Sequence, residues 1–299
     1  MLPETLEKRR KGIGGSDAAA ICGLSKWRTP LQVWEDKRGI SGPIPDNDAM
    51  LWGRVLEPVV RQRYSDVTGR LVKIPVDILQ HPTYDFMLAL IDGFTDDNRG
   101  VEVKTSAYPT GWGEPGTDDI PIDYIFQVQH YMLITAFPVF DVPVLIGGND
   151  FRIYEVPEDK ELQEMLVDRE RAFWELVKNN IPPPPVSYND VVHLYRHSQT
   201  KTITASEQIE TLIKDLQELK NSKKDIEEIE EERKMAIMEF MKEADTLVNL
   251  AGDTLITWKT TKPAKRVDLK ALQLEQKDIY EKYLKEGDIQ RRFLIKEEK

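Results

Sequence analysis

The stretch Leu90-Ile91-Asp92-Gly93-Phe94, the polar turn Thr95-Asp96-Asp97-Asn98-Arg99-Gly100 and the run Val101-Glu102-Val103-Lys104 together decide the reading of this chain. An apolar strand ends in Asp-Gly, a turn follows, and a second short strand carries Glu-Val-Lys. Alternate side chains of a strand share a face, so Glu102 and Lys104 point the same way while Val101 and Val103 point into a core. If the two strands pair as a hairpin, Asp92 reaches Glu102. Two carboxylates and an amine then meet at a sheet edge. Carboxylates are hard oxygen ligands suited to Mg²⁺ or Mn²⁺. A cation held there would bind a non-bridging phosphate oxygen and acidify a water. Lys104 would orient that water or offset charge in a pentavalent transition state. Burial lowers the pKa of such a lysine and the carboxylates raise it, and the sequence leaves that balance open. Glu-Val-Lys alone is a common tripeptide, and an ordinary amphipathic hairpin with exposed charges accounts for it equally well.

Working outward, the pattern up to residue 180 is mixed α/β. Short helices are expected over 16–22 and 30–38. A longer one is expected over 47–68, with Leu51, Val55, Val59 and Val60 on one side and Gly69 as its stop. Residues 70–79, 86–92 and 100–104 read as strands, and 121–136 as a helix. Residues 139–147 and 150–156 read as a hairpin around Gly147-Gly148-Asn149-Asp150, and 158–179 as a last helix. Four prolines, Pro182 to Pro185, cannot sit inside a helix or a central strand and close the domain. Beyond them, 204–248 has an alternating three-and-four apolar spacing (Ile209, Leu212, Leu216, Leu219, Ile226, Ile237, Phe240, Ala244, Leu247) interrupted by Lys223, Glu230 and Arg233. This predicts a long coiled-coil-like helix or a solvated helix hairpin. A hairpin turning at Ala251-Gly252-Asp253 and a helix over 268–286 complete the chain, with a basic segment, Lys259–Lys270, between them.

The composition narrows the classes. The chain has 299 residues, of which 40% are hydrophobic, enough for a full core. A net charge of −11 argues against indiscriminate nucleic-acid binding, but a local basic groove is compatible with it. One cysteine, Cys22, excludes a disulfide framework and a cysteine-ligated cluster, and it reads as a buried small residue. Neither an apolar signal region nor a run of membrane length is present, so a cytoplasmic protein is expected. The four histidines make no metal-ligand pattern, and phosphate-cradling loops and serine-hydrolase elbows are missing.

The Asp92 and Glu102-Val103-Lys104 pattern resembles the PD-(D/E)XK nuclease superfamily, with Ile91 where the motif's name has proline. Further blocks occur in matching order: Arg9-Arg10-Lys11-Gly12-Ile13-Gly14-Gly15-Ser16-Asp17-Ala18, Gly23-Leu24-Ser25-Lys26-Trp27-Arg28-Thr29-Pro30, Trp52-Gly53-Arg54-Val55-Leu56-Glu57-Pro58 and Gln127-Val128-Gln129-His130-Tyr131. Over roughly residues 5–180 the chain is similar to the YqaJ-like viral recombinase family, related to phage lambda exonuclease. The resemblance implies a restriction-endonuclease-like core, a central mixed sheet flanked by helices, over 1–185. A linker over 186–203 and a long-helix extension over 204–299 would follow. It implies metal ligation by Asp92, Glu102 and the carbonyl of Val103, with Glu57 beside the metal directly or through water. Gln127 and Tyr131, four apart on one helix face, would line the site and contact the substrate strand.

Glycines near a helix start let the backbone approach an anion, and Ser16 with Arg9 or Arg10 would make a pocket for a terminal 5′-phosphate. The family resemblance points the same way. Arg28, in a basic aromatic loop, would touch the duplex, and Met50 would be an apolar wedge where strands part. The implied activity is Mg²⁺-dependent 5′-to-3′ exonucleolysis of linear duplex DNA, with Mn²⁺ able to substitute. It would leave 3′ single strands for an annealing protein of the RecT/Bet type. A phage or prophage origin in a bacterial host and a homo-oligomer, by resemblance a ring trimer, are implied as well. The alternatives are an endonuclease or single-strand nuclease of the same superfamily, or a non-catalytic module that binds DNA ends or a partner.

Overall fold

The computed structural model describes residues 3–42, 45–287 and 289–296. The chain divides into two compact units, Met1–Leu194 and Tyr195–Lys299. The first opens with helix α1 (Pro3–Arg10), strand β1 (Ile13–Gly14), and helices α2 (Gly15–Ile21), α3 (Pro30–Lys37) and α4 (Asp48–Thr68). Short strands β2 (Leu79–Gln80), β3 (Met87–Ala89), β4 (Gly93–Phe94), β5 (Gly100–Val101) and β6 (Lys104–Ser106) follow. Helix α5 (Ile122–Thr135), the hairpin β7 (Val139–Ile146) and β8 (Asp150–Pro157), and helices α6 (Lys160–Lys178) and α7 (Tyr188–Leu194) complete the unit.

The strands form two small sheets. In one, β3 lies between β1, parallel to it, and β2, antiparallel. In the other, β7 is central. It pairs antiparallel with β8 along its whole length, and on its other edge parallel with β5 and then β6. Thus β5 and β6 are one strand interrupted at Glu102 and Val103, and β4 folds back on β5 as the expected hairpin. Phe140, Val142, Val144 and Ile146 of β7, each nearly or wholly buried, form the main core with Val128, Tyr131 and Met132 of α5. Gly147 and Gly148, both with positive φ, make the β7–β8 turn where the sequence places it.

Helix α5 is enclosed on all sides. It begins after Pro121 and ends on Ala136 in the left-handed region, and every residue from Phe126 to Met132 is buried. Four of these are polar, and each is hydrogen-bonded, as burial demands. Gln129, for example, bonds Pro157 O, the Asp159 amide and Gln163. Helix α2 crosses α5 so closely that a Cβ on Gly15 would stand 2.6 Å from the Tyr131 ring and 2.8 Å from Gln127 O.

Several expectations are corrected. The stretch 70–79 is not a strand but carries a single bridge, Lys73 to Phe94, before β2. Pro75 interrupts it, and Leu71, Ile74 and Val76 are exposed on either side of that bridge to β4. In α4 the buried residues are Val60 and Tyr64, whereas Leu51, Val55 and Val59 face solvent. Periodicity finds an apolar stripe but not the side on which the sheet lies.

In the second unit, α8 (Glu207–Met241) stops at Lys242, which adopts a positive φ, so Ala244 and Leu247 fall outside it. Strands β9 (Thr246–Val248) and β10 (Thr254–Thr257) pair as the expected hairpin. The terminal helix is broken at Gln276 into α9 (Leu269–Glu275) and α10 (Lys277–Tyr283). Among the described residues no helix is long and apolar enough to cross a membrane.

The Gly15 contact yields a first prediction. Gly15→Ala forces a methyl into the Tyr131 ring, and overpacking of this kind costs about 1–3 kcal/mol. A thermal melt of the variant should show that loss, whereas an unchanged midpoint would mean that α2 and α5 are not so closely apposed.

Candidate active site

The register of β4 on β5 sets Gly93 opposite Val101, which brings Asp92 level with Glu102. Asp92 Oδ2 accepts the Val103 amide hydrogen at 2.8 Å. Val103 therefore gives its amide to Asp92 and its side chain to the core under α4. The Glu102 amide donates to Asp141 O of β7 at 3.0 Å, which fixes the gap between β5 and β6. From the far end of this gap Lys104 Nζ returns to Glu102 Oε1 at 2.7 Å. The convergence expected of Asp92, Glu102 and Lys104 is thus present.

Helix α5 closes the site. Gln127 Nε2 donates to Glu102 Oε1 at 2.6 Å and to Tyr131 Oη at 3.0 Å, and Gln127 Oε1 accepts from Lys104 Nζ at 2.9 Å. Tyr131 Oη in turn donates to Leu90 O at 3.1 Å. The four-residue spacing of Gln127 and Tyr131 places both on the face that meets the acids. A cleft of about 210 Å³ opens above them, lined by Glu102, Gln127, Tyr131, Arg9 and Ser16. Arg9 Nη2 donates to Ser16 Oγ at 3.1 Å, so the structure chooses Arg9 over Arg10 for this cleft.

Arg28 and Arg10 are engaged elsewhere, whereas Glu57 stands near both acids. Arg28 is 3.1 Å from Asp17 and 3.5 Å from Asp36, and Arg10 Nε is 3.5 Å from Asp36. These contacts serve the buried Asp17, which also holds the buried Lys37 at 2.6 Å and accepts from the Gly14 amide. Burial pushes the Asp17 carboxyl up, but Lys37 and Arg28 outweigh it and hold it at about 2. Arg28 is consumed by that network. Glu57 pairs with Arg61 at 2.8 Å, and Arg61 donates to the main-chain O of Asp92 at 3.0 Å. Met50 is exposed near the start of α4.

Two further groups were not read from the sequence. Arg61 is the link between Glu57 and Asp92, and its only signal is a Glu-to-Arg spacing of four on one helix. The Tyr124 ring lies 4.5 Å from Lys104 Nζ, a cation–π contact with no advance signal.

Burial, and then the charge of Glu102, push the Asp92 carboxyl well above its ordinary range, with Lys104 opposing. Burial also raises Glu102, against Lys104 and with Glu57 adding to the rise. Burial alone would lower Lys104, but Glu102 and Asp92 more than offset it, and the amine rises above its ordinary value. Lys104 is therefore an ammonium at neutral pH. Tyr131 is raised well above its usual range by burial and by Glu102, so its hydroxyl keeps the proton it gives to Leu90 O.

Glu102 Oε2 is buried and has no hydrogen-bond partner among the described residues. An orphaned carboxylate oxygen beside a second carboxylate fits a hard divalent cation. No three of His, Cys, Asp and Glu gather at metal-ligand spacing among the described residues. The side chains thus offer two acids, and any remaining ligands would come from main chain, solvent or substrate.

The chain is similar to known proteins along most of its length. Residues 4–138 match the YqaJ-like viral recombinase domain. The chain is 34% identical to the protein YqaJ of Bacillus subtilis (strain 168) over 306 residues, covering 98% of this chain and 94% of that protein. Among solved structures, the alkaline exonuclease LHK-Exo of Laribacter hongkongensis superposes with a TM-score of 0.50 at 22% identity, over 60% of this chain and 94% of that one. This likeness is one of fold, and it bears out the α/β core with a central mixed sheet and flanking helices expected from the sequence.

The raised carboxyls have a measurable consequence. A folded-state pKa above the unfolded one favours folding at low pH and withdraws that support as pH rises through the folded value. Asp92→Asn keeps an acceptor for the Val103 amide and removes the buried charge. With chelator present at neutral pH, the variant should melt higher than the wild type. The gain should shrink on acidification and vanish below the ordinary aspartate value of 3.8. A destabilised variant at neutral pH would contradict the assignment.

Proposed function

The chain belongs to the YqaJ-like viral recombinase family, and from that premise we propose that it is a metal-dependent exonuclease degrading linear duplex DNA from the 5′ end toward the 3′ end. The observation that carries the reading is the meeting of Asp92, Glu102 and Lys104 beneath a cleft whose rim holds Arg9 and Ser16. Asp92, Glu102 and the main-chain carbonyl of Val103 would hold a divalent cation, Mg²⁺ or in its place Mn²⁺. Bound there, it supplies Lewis acidity to the scissile phosphodiester.

The protein's own groups do the rest. Lys104, kept protonated between Glu102 and Gln127, presents an ammonium to the charge that grows on the phosphate oxygens. Gln127 holds both Glu102 and Lys104 and so fixes the direction of that ammonium. Arg61, steadied by Glu57, holds the main chain of Asp92. Arg9 and Ser16 are the groups suited to a terminal 5′-phosphate, one by a charge-assisted bond and the other by a hydroxyl. Tyr131, between that rim and the acids, would stand against the substrate strand. Products of this polarity are 3′ single strands, the substrate of an annealing protein, and a homo-oligomer such as a trimer would keep the enzyme on its DNA.

Digestion of a linear duplex bearing a 5′-phosphate on one end and a hydroxyl on the other tests the whole reading. With Mg²⁺ the phosphorylated strand should be lost first, covalently closed circles should survive, and EDTA should stop the reaction. Lys104→Ala should lower kcat by roughly 10²–10³, as expected for loss of a preorganised transition-state donor. Arg9→Ala should erase the preference for the phosphorylated end. Cutting of closed circles would exclude an exonuclease, and full activity of Lys104→Ala would remove that residue from the mechanism.

A further inference from the structure

Beneath the site lies a second buried pair that the chemistry above does not use. His130 and Glu170 are both fully buried. His130 Nδ1 is 2.8 and 3.0 Å from the two carboxylate oxygens of Glu170 on α6, and Nε2 is 3.0 Å from Leu88 O of β3. A main-chain carbonyl can only accept, so Nε2 must carry a hydrogen. The carboxylate on the other side of the ring keeps it in that orientation. Burial pulls the imidazole down and Glu170 pulls it up, with a net rise. Asp17 adds to that rise from α2.

Three successive hydrogen bonds then fall on the chain that runs into the catalytic acid. His130 holds Leu88 O, Tyr131 holds Leu90 O, and Asp92 itself is held by the Val103 amide. Alternate carbonyls of one extended segment are thus fixed by adjacent residues of α5. One turn earlier on the same helix, Gln127 fixes Glu102. Helix α5 therefore touches both acid-bearing segments, bracing from one side the pair that the β4–β5 ladder already joins.

The geometry points to His130 as a positioning residue for this reaction: its Nε2–H, oriented by Glu170, anchors Leu88 and thereby holds Asp92 at its working distance from Glu102. The inference rests on the nuclease reading for its kinetic consequence and on the hydrogen bonds alone for its structural one. Asparagine places its amide where Nδ1 stands, and glutamine places its amide nitrogen where Nε2 stands. Comparing the two in a Glu170→Gln background removes the buried charge and isolates the bond to Leu88.

In the full chain, Glu170→Gln and His130→Gln/Glu170→Gln should keep kcat within about threefold of the wild type, since each retains a donor for Leu88 O. His130→Asn/Glu170→Gln should lower kcat by at least about tenfold, with a smaller change in KM for DNA ends, because the bond to Leu88 O is lost while Arg9 and Ser16 keep their places. Amide hydrogen exchange at Val103, read by NMR without metal or DNA, should be about tenfold faster in the asparagine variant and unchanged in the glutamine variant. Equal behaviour of the two in both measurements overturns the proposal, as does a loss confined to KM. The exchange result decides it even if the chain cuts no DNA, an outcome that would instead overturn the nuclease reading. Nitrogen-15 spectra of the wild-type imidazole give a check that no variant's folding can obscure: Nε2 must carry a proton at neutral pH, and a bare Nε2 would falsify the arrangement.

Discussion

The bonds that Gln127 gives to Glu102 and takes from Lys104 are the constraint on which the candidate site depends. Glu102 is buried and Lys104 largely so, and beyond the bond between them Gln127 gives each a further partner, satisfying donor and acceptor together. A carboxamide does this because it carries both functions on one rigid plane. It can do so only from an element inside the fold, and α5 is that element. The helix accordingly carries polar side chains on a surface that periodicity would assign to a core. Around it the fold supplies each with a partner: the β4–β5–β6 run for Gln127, β3 for His130, Leu90 just beyond β3 for Tyr131, and α6 for Gln129.

The electrostatic consequence is an arrangement that works against its own stability. Burial raises the pKa of both carboxyls, and the two acids in turn raise that of Lys104, so three coupled ionisable groups are crowded into a poorly hydrated place. Buried ion pairs are weak sources of stability, since desolvation takes back much of the Coulombic gain. The surrounding core, centred on β7, must offset this. On the proposed reading, a bound cation would offset the repulsion between the two acids.

Much of this was legible in the sequence because it is local. Asp92 and Glu102 are joined by one short turn, Glu102 and Lys104 by strand alternation, and Gln127 and Tyr131 by one helical turn. Each relation is fixed by backbone geometry before tertiary structure enters. What could not be read depends on docking between elements. Arg61 reaches Asp92 across 31 positions and His130 reaches Glu170 across 40, and neither has a signature at such separation. Arg28 looked available for DNA because its loop is basic and aromatic, but the buried Asp17 claims it. The stripe on α4 failed for a related reason: Leu51, Val55 and Val59 are periodic, yet the sheet lies on the side of Val60 and Tyr64.

The long helix of the second unit obeys different rules. Of the 35 residues of α8, Met241 alone is buried, and the chain holds its helical form through capping by Ser206 and ion pairs such as Lys234 with Glu230. Selection on such a segment acts on propensity and charge and hardly at all on shape. Descendants of this protein can therefore exchange the charged surface residues of α8 with little penalty to this chain's own packing, whereas the buried centre of α5 admits almost no replacement. The two helices should keep very different evolutionary clocks within one gene.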